Sequence, residues 1–517
     1  MRHIIISPIS NELPSHYAER LAKYYASKTE QEHKKKIGQF FTPLALSNFI
    51  ASFSLIDKRK IKILDPGCGT CILSSSLIEK LSKSKKIKHV ELTTYEIDPN
   101  LNVHAMASLA YLNDWLSDKG ITLVINHRSV DFLDENFLAI DVESTEQFDI
   151  IISNPPYFKI SKEDQRKHLL KTISSGQLNM YAAFVAISTN MLTKQGELIF
   201  IIPRSFASGD YFKTFRSVFF SRIQVKSIHL FVSRKQAFEK DKVLQENLII
   251  HGCRVSKVDL KKKIRVSQSD GLKDIGNIKA KHFPYNQLID PNSDEKFLHL
   301  PDSEEQEIIM RLIQAQKNNL SSLGYKISTG PIVYFRKIEF LQQDKSQNSV
   351  PLFWLDNVNK YTITHPMNGK SKEQFFTWSE QSDSVLTLNT NLVLVRRFSS
   401  KDDSSRLVAA IHLKKTSANY QKIGIENKLN YISKIKGILR INEAIGICSI
   451  LNSYIYDEYF KTFNGNTQVS ASELRKIPFP SSNTILKIGK KISRLKTINP
   501  ETVSAIVCKA LLENANK

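Results

Sequence analysis

The tetrapeptide Asn154-Pro155-Pro156-Tyr157 follows the apolar run 148–153, which predicts a buried strand. Open α/β sheets bind ligands at the carboxyl ends of such strands. Proline fixes its own φ and restricts the residue before it, so the asparagine and proline carbonyls become acceptors with fixed directions. These acceptors can hold a planar amino group, and the tyrosine ring offers a face for stacking. An amine held here beside an electrophilic methyl donor would be methylated, although the tetrapeptide could also be a simple loop breaker.

A glycine loop earlier in the chain could hold the second ligand of such a reaction. Asp65-Pro66-Gly67-Cys68-Gly69-Thr70 joins a predicted strand to a predicted helix. The two glycines let the backbone approach a ligand closely, and the start of the helix presents unpaired N–H donors. The spacing is neither that of the dinucleotide fingerprint nor that of a P-loop, since no Gly-Lys-Ser/Thr follows. The loop therefore suits a nucleotide-like cofactor, and phosphate binding is disfavoured.

Acidic residues follow the next two predicted strands. Glu96 ends the second strand, where a carboxylate can accept hydrogen bonds from both hydroxyls of a ribose, and Asp98 is the alternative. Asp131 and Phe132 follow the third strand and offer an acceptor for an adenine amino group and an apolar wall for its ring. Each acid alone could equally be a surface or capping carboxylate. Their order along the chain supports a shared site.

Strand-like and helix-like periodicities alternate through the part of the chain that carries these residues. Strands are predicted at 61–64, 90–97, 121–126, 148–152 and 197–202, and helices at 14–30, 44–54, 72–82, 101–117 and 181–192. A further strand within 244–255 is expected to close the sheet. Alternation of this kind predicts an α/β fold with a doubly wound, mostly parallel, Rossmann-like sheet.

The 517 residues exceed the size at which one hydrophobic core stops growing, so more than one domain is expected. Residues 1–260 are predicted to form the catalytic domain. The periodicity fades in a polar, lysine-rich stretch, so 261–300 is predicted as a linker. Mixed periodicities predict an α+β domain over 301–480, and 481–517 is predicted to be a basic, helical carboxyl-terminal tail.

The chain carries 73 Lys and Arg against 51 Asp and Glu, a formal charge of +22, which favours a polyanionic partner and nucleic acid first. A merely lysine-rich composition is the alternative. No apolar run is long enough to predict a membrane span, and the apolar run near the first residue is too short for a secretory signal. Five cysteines in so long a chain do not make a disulfide framework, so a cytoplasmic protein is expected. No metal is expected, since no His/Asp/Glu cluster has ligand spacing.

Taken together, these motifs resemble those of the adenine-specific DNA methyltransferases of type II restriction–modification systems, in the gamma-type group whose cofactor motif comes first and whose recognition domain comes last. The resemblance covers about residues 34–255 and implies S-adenosylmethionine as the cofactor. Gly38-Gln39-Phe40-Phe41-Thr42-Pro43 is similar to the first motif, with Thr42 near the methionine part. The other cofactor-binding residues that it implies are Asp65, Gly67, Gly69, Glu96, Asp131 and Phe132. Cys71 stands where the family usually has a further glycine.

The resemblance also assigns the acceptor site. In the family, the motif matched by Asn154, Pro155, Pro156 and Tyr157 holds the amino group of an adenine that is flipped out of the duplex. Flipping costs a few kcal/mol of unstacking, so an aromatic sandwich is needed to offset it. Tyr157 supplies one ring, and a later motif at 203–212 supplies the second. An ungapped comparison favours Phe212 over its neighbour Tyr211, and the alternative for Phe212 is an ordinary core aromatic.

The second half is similar to PstI-type modification methylases, which modify the adenine of the palindrome CTGCAG. The similar segments are 328–331, 396–400 with Arg406, and 464–469. Arginine commonly pairs with a guanine edge, and asparagine or glutamine with adenine. Arg396, Arg397, Asn466 and Gln468 are therefore candidate DNA-binding residues. The arginines could instead hold phosphates, and Asn-Gly-Asn could be a turn.

The predicted reaction is a direct displacement in which Asn154 and the Pro155 carbonyl accept the hydrogens of an adenine amine. The expected partners are double-stranded DNA and a separate cognate restriction endonuclease, and a monomer is expected. Two alternatives stay open. One is methyl transfer to an adenine in RNA or to a glutamine amide in a protein, and the other is a DNA-binding protein without catalysis.

Overall fold

The computed structural model describes residues 5–29, 41–161, 164, 172–173, 179–231, 247–276, 278–367, 369, 372–399, 405–465 and 468–515. The chain divides into two compact units, Met1–Leu298 and His299–Lys517. None of the helices in these residues combines the length and hydropathy that a membrane span needs. Within the same residues, no group of three or more His, Cys, Asp or Glu side chains is placed so that it could hold a metal ion.

Strands and helices alternate in the first unit. Its elements are α1 Pro14–Lys28, α2 Leu44–Ala51, β1 Lys60–Pro66, α3 Ile72–Leu81, β2 His89–Tyr95, α4 Pro99–Ser117, β3 Thr122–Arg128, α5 Phe132–Asn136, β4 Phe148–Ser153, α6 Met180–Asn190, β5 Leu192–Pro203, α7 Lys213–Arg222, β6 Ile223–Phe231, β7 Asn247–Arg254, β8 Lys263–Ser269, β9 Ala280–Pro284 and α8 Tyr285–Leu288.

Within the described residues, nine strands of the first unit form one sheet in the order β3-β2-β1-β4-β5-β7-β6-β8-β9. Strands β3, β2, β1, β4 and β5 are parallel to one another, and β7 is antiparallel to both β5 and β6. The predicted doubly wound, mostly parallel α/β fold is confirmed. The connections reverse direction between β1 and β4, and sheets of this kind bind ligands at such a point.

Towards their carboxyl ends the two strands at this point are apolar on both faces, as strands covered on both sides must be. Ile63 and Leu64 of β1 and Ile150–Ile152 of β4 are fully buried. The register pairs Ile63 with Ile150 and Leu64 with Ile151. The loops that follow β1 and β4 therefore leave the sheet side by side.

The segment 261–300 differs from the linker that the sequence predicts, because it contributes β8 and β9 to the sheet. In β8, Lys263 is exposed and Arg265 half-buried, whereas Ile264 and Val266 between them are buried. This alternation is that of a strand with one solvated face, which the lysine-rich composition obscures. The boundary between the units consequently lies at 298/299 and not at 260.

The second unit joins small sheets to a group of helices. Its elements are α9 Glu304–Gln314, β10 Asn318–Asn319, β11 Tyr325–Thr329, β12 Leu341–Gln342, β13 Ser349–Phe353, β14 Val358–Asn359, β15 Thr362–Ile363, β16 Phe375–Thr377, β17 Thr387–Leu388, β18 Leu392–Arg396, β19 Ala409–His412, β20 Lys422–Ile425, β21 Leu429–Lys434, α10 Ile441–Asn452, α11 Tyr454–Phe463, α12 Ala471–Lys476, β22 Pro478–Phe479, α13 Ser482–Ile492 and α14 Pro500–Ala515.

The mixed α+β character predicted for 301–480 is present, with strand orders β11-β21-β18-β19 and β12-β16-β13-β20-β17 in the two larger sheets. The predicted tail, 481–517, contains two helices that belong to the second unit. Helix α13 crosses α10 with their backbones in contact, because a Cβ added to Gly489 would lie 1.8 Å from the Asn442 carbonyl oxygen. The segment is thus part of the packed core.

Candidate active site at the carboxyl edge of the sheet

The loops after β1, β2, β3 and β4 surround a cavity of about 220 Å³. Residues that the sequence predicts for the cofactor and for the amino group line the same cavity: Thr42, Gly67, Gly69, Glu96, Asp131, Phe132, Asn154 and Pro156. They come from separate parts of the first unit. The parallel sheet brings them together because the strands end at one edge.

The glycine loop turns in the left-handed conformation. Gly67 and Gly69 have φ values of 74° and 58°, and Cys71, the residue before α3, has a φ of 64°. Glycine adopts this conformation without a steric cost, whereas a residue with a Cβ does not. Cys71 therefore keeps the backbone path of the glycine that the family resemblance would place there, and its side chain is fully buried.

Glu96 is held at the end of β2 by two backbone donors. Its carboxylate accepts hydrogen bonds from the N–H of Gly69 at 3.0 Å and from the N–H of Asp98 at 2.9 Å. The side chain is only 7 % exposed, and this burial raises the pKa of Glu96 to about 7. A nearly buried carboxylate in a cavity wall is suited to accept hydrogen bonds from paired hydroxyls.

The alternative acid, Asp98, has a structural role. It caps α4 by accepting from the N–H of Asn100 at 2.9 Å, and it accepts the Tyr25 hydroxyl of α1 at 2.5 Å. Glu96 is among the residues that line the cavity, and Asp98 is not.

Asp65 is fully buried at the end of β1, and neither carboxylate oxygen has a hydrogen-bond partner in the described part of the chain. Burial raises its pKa to about 7, and nearby donors of Ser74 oppose the shift. An uncompensated buried carboxylate is costly, which favours a cationic or hydrogen-bonding ligand nearby.

Asp131 and Phe132 stand at the third strand end. Asp131 lines the cavity and caps α5 by accepting from the N–H groups of Leu133 and Asp134. Phe132 is buried, with ring centroids 5.1 Å from Tyr95 and 5.0 Å from Phe184. The cap fixes the backbone of Asp131, and the aromatic contacts fix the Phe132 ring as a wall.

Asn154 connects two of the predicted motifs. Its amide nitrogen donates to the Thr42 hydroxyl at 3.1 Å, and its amide oxygen accepts from the Tyr157 hydroxyl at 2.6 Å. One residue earlier, Ser153 donates its hydroxyl to the Pro66 carbonyl at 2.6 Å, which ties the end of β4 to the end of β1. An amide oxygen has two lone pairs, so Asn154 can accept a further hydrogen.

The two predicted stacking rings are both buried and both touch a third ring. Phe212 stacks on Tyr181 with centroids 5.7 Å apart, and Tyr157 meets Tyr181 edge to face at 6.4 Å. Tyr157 also places its hydroxyl 3.1 Å from the Ile201 carbonyl oxygen. In this arrangement Tyr157 and Phe212 belong to one buried aromatic cluster, which Tyr181 joins.

Several cavity residues escape the sequence motifs. Tyr95, Phe158, Met180 and Phe184 line it, together with Ile97 and Val130. Ile97 is 55 % exposed and Val130 is 43 % exposed, although both are apolar. Each adjoins an acid at a strand end, Glu96 or Asp131. An apolar residue beside such an acid is the signal that could have identified them.

The predicted DNA-binding arginines of the second unit hold other loops. Arg396 donates to the Val358 carbonyl at 2.6 Å and to the Asn359 side-chain oxygen at 3.0 Å. Arg397 donates to the Asn427 carbonyl at 3.0 Å. Gln468 lies opposite Phe398 in a backbone bridge. Asn466 lies outside the described residues, as do Gly38, Gln39 and Phe40 of the first motif.

Comparison with known proteins gives a consistent set of similarities. Residues 84–238 match the model of the Eco57I restriction-modification methylase family. Type II methyltransferase M.BsuBI of Bacillus subtilis is 34% identical over 466 residues, which is 89% of this chain and 90% of that protein. Type II methyltransferase M.PstI of Providencia stuartii is 29% identical over 472 residues, 90% of this chain and 91% of that protein.

Solved structures agree in fold. A nuclease-deletion mutant of the Type ISP restriction-modification enzyme LlaGI, in complex with a DNA substrate mimic, superposes with a TM-score of 0.52 at 14% identity, covering 88% of this chain and 47% of that one. The ATP-dependent Type ISP enzyme LlaBIII bound to DNA gives a TM-score of 0.51 at 13% identity, covering 93% and 41%.

Proposed function

We propose a reaction for this chain from one premise, that it belongs to the type II methyltransferases of restriction–modification systems. It is therefore a DNA methyltransferase, and its methyl donor is S-adenosylmethionine. The acceptor is the exocyclic amino group of an adenine flipped from a short duplex site. Methylation protects this site from a cognate restriction endonuclease. The observation that carries the proposal is that Glu96 and Asn154 line one cavity.

The residues of the cavity fit the proposed cofactor. Glu96 would accept the ribose hydroxyls and Asp131 the adenine amino group, with Phe132, Ile97 and Val130 as apolar walls. Phe41 and Thr42 would contact the methionine part. Asp65 is fully buried outside the cavity lining, and the negative charge of its carboxylate would favour an ammonium group in the cavity. When bound, the cofactor supplies an electrophilic methyl group on a sulfonium.

Asn154 and Pro155 orient the acceptor in this mechanism. The Asn154 amide oxygen, which already accepts from Tyr157, uses its second lone pair for one amino hydrogen, and the Pro155 carbonyl accepts the other. An adenine amine is a weak nucleophile because its lone pair is delocalised into the ring. Hydrogen bonds that favour a tetrahedral nitrogen make that pair available, and fixed orientation supplies most of the acceleration. The nitrogen would bond the methyl carbon as the carbon–sulfur bond breaks, and the amino group would then lose one proton to solvent.

Hydrogen bonds to an amino group do not separate adenine from cytosine, because a flipped cytosine presents the same planar hydrogens. The choice of adenine therefore rests on the resemblance of the Asn-Pro-Pro-Tyr motif to that of adenine-specific methyltransferases. We infer CTGCAG as the site because the similarity to M.PstI extends over 90% of this chain. We further infer that the second unit reads the site and that the protein acts as a monomer beside a separate endonuclease. A monomer suffices because the two strands of a palindrome can be methylated in separate visits.

The decisive experiment is transfer of labelled methyl from S-adenosylmethionine to unmethylated plasmid DNA, followed by sequencing that maps modified bases. We expect label on adenine at one short motif. Label on cytosine would contradict the choice of base, and label only on RNA or protein would contradict the choice of substrate. Methylation at another motif would contradict CTGCAG alone.

The role of Asn154 has its own test. We expect Asn154→Ala to abolish transfer and to leave cofactor affinity within a few-fold, because the side chain contacts Thr42 but the glycine loop and Glu96 are unchanged. Asn100→Ala is the matched control, since Asn100 is exposed and its backbone N–H makes the bond to Asp98. Turnover in Asn154→Ala equal to that of the control would contradict the role assigned to Asn154.

A further inference from the structure

Three large apolar side chains are exposed close together in one short segment of the second unit. Tyr334 is 39 %, Phe335 58 % and Ile338 63 % exposed. They lie in two consecutive 3₁₀ turns, Tyr334–Arg336 and Ile338–Phe340. Single exposed apolar residues are ordinary, but adjacent ones mark a surface that contacts a partner. We call the segment Tyr334–Ile338 the aromatic tip.

The segment that precedes the aromatic tip is held by backbone hydrogen bonds. Gly330 donates its N–H to the Leu429 carbonyl at 2.8 Å, Ile332 donates to Ile425 at 3.1 Å, and the Ile332 carbonyl accepts from the N–H of Asn427 at 2.9 Å. A Cβ on Gly330 would lie 2.2 Å from the Glu426 carbonyl oxygen, so glycine is required at this crossing. A partner of the tip thus meets a preformed surface and does not have to order it.

Cations accompany the exposed rings. The Arg336 guanidinium lies 5.7 Å from the Phe335 ring centroid, and the Lys428 ammonium lies 5.8 Å from the Tyr334 centroid. Glu339 is an exposed acid beside the tip, whereas Glu426 is fully buried and accepts from the N–H of Lys428 at 2.9 Å. Basic groups placed beside exposed aromatic faces suit a partner that has both phosphates and stackable rings.

The same surface continues into residues for which the sequence already predicts DNA contacts. The N–H of Arg397 donates to the Lys428 carbonyl at 2.9 Å, and its guanidinium donates to the Asn427 carbonyl at 3.0 Å. Phe398, which follows, is 36 % exposed and pairs with Gln468 in a backbone bridge. Lys428 therefore joins the aromatic tip to the loop of Arg397 and Gln468.

We propose that the aromatic tip contacts duplex DNA, with Phe335 stacking on an unstacked base and Arg336 and Lys428 lying against phosphates. The proposal rests on the proposed function, because the family activity makes DNA the partner. It assigns the contact to the tip, whereas Arg396 and Arg397 serve to hold the neighbouring loops. A protein partner would use the apolar side chains without a dependence on Arg336 and salt.

The test measures the affinity of the full chain for a fluorescent, unmethylated duplex that contains the mapped site. Phe335→Ala should weaken binding roughly tenfold or more, the effect of removing one base-stacking ring. Phe335→Trp should keep the affinity and Phe335→Leu should not, because stacking needs a flat ring. Arg336→Ala should lower the slope of log Kd against log salt by about 1.

Matched controls come from elsewhere in the second unit. Leu388 is 65 % exposed and Lys414 is exposed, so Leu388→Ala and Lys414→Ala remove similar side chains outside the segment Tyr334–Ile338 and should bind the duplex within about twofold of wild type. Cofactor affinity should be unchanged in every variant. Phe335→Ala that binds as tightly as Leu388→Ala overturns the proposal, whether or not methyl transfer is observed. A wild-type protein that binds the duplex but methylates no DNA contradicts the proposed reaction instead.

Discussion

The hydroxyl of Tyr25 stands at the start of a chain of hydrogen bonds that ends in the candidate cofactor cavity. It donates to Asp98 at 2.5 Å, the N–H of Asp98 donates to one Glu96 oxygen at 2.9 Å, and the other Glu96 oxygen accepts from Gly69. The Tyr25 ring also meets Phe41, a cavity residue, edge to face at 5.8 Å. Tyr25→Phe removes only the first of these bonds and keeps the ring.

The size of the effect follows from the chemistry of that bond. A hydrogen bond to a charged group contributes about 1.5–3 kcal/mol, and Asp98 keeps its cap on α4 when the hydroxyl is lost. We expect the free energy of unfolding to fall by about that amount. If about 1 kcal/mol of it reflects looser positioning of Glu96, the Kd for the cofactor rises roughly fivefold.

Tyr17→Phe is the matched control. Tyr17 lies in the same helix, is 2 % exposed where Tyr25 is 4 % exposed, and donates its hydroxyl to the Ile6 carbonyl at 2.8 Å. This variant should lose stability and bind the cofactor as wild type does. Calorimetry with S-adenosylmethionine and thermal unfolding measure both quantities. Equal cofactor affinity in Tyr25→Phe and Tyr17→Phe would refute the argument, because the loss would then be structural only.

Two further predictions concern pH and a glycine. Burial raises the pKa of Glu96 from 4.5 to about 7, so its contribution to stability is present below pH 4.5 and is lost as pH rises through 7. Over the same rise in pH, the affinity for a ligand whose hydroxyls donate to the carboxylate should increase. Calorimetry that finds this affinity flat or falling with pH would contradict the prediction. Gly330→Ala should lower the unfolding temperature because its Cβ would lie 2.2 Å from the Glu426 carbonyl oxygen. Gly276→Ala is the control and should leave the unfolding temperature unchanged, because a Cβ there has no heavy atom within 4 Å. Equal unfolding temperatures for the two variants would contradict a tight crossing at Gly330.

Much of the first unit is readable from the sequence because its signals are local. A buried apolar run followed by Asn-Pro-Pro-Tyr, and a strand followed by a glycine loop, each lie within a few residues. The parallel sheet then places them at one edge. The stack of Phe212 on Tyr181 is different, since the two rings come from separate elements and an aromatic on a helix face has no distinctive pattern.

The second unit is less predictable for a physical reason. Strands β10, β12 and β14 have two residues each, too few for any alternation to show. Arg396 and Arg397 are of the residue type that commonly contacts bases. Only the structure shows that they donate hydrogen bonds to Val358 and Asn427. Residue type does not reveal which donors are already engaged.

The pairing of β1 with β4 has a mechanical consequence. Ile63 faces Ile150 and Leu64 faces Ile151, so the ends of these strands, Pro66 and Ser153, are close enough for a direct hydrogen bond. A slip of β4 by one residue would carry the segment after it about 3.3 Å along the sheet and turn its side chains to the opposite face. Strand register thus fixes the distance between the loops after β1 and β4, where we propose that the methyl donor and acceptor bind. A single residue inserted in β4 would change that distance without altering the sequence of either loop.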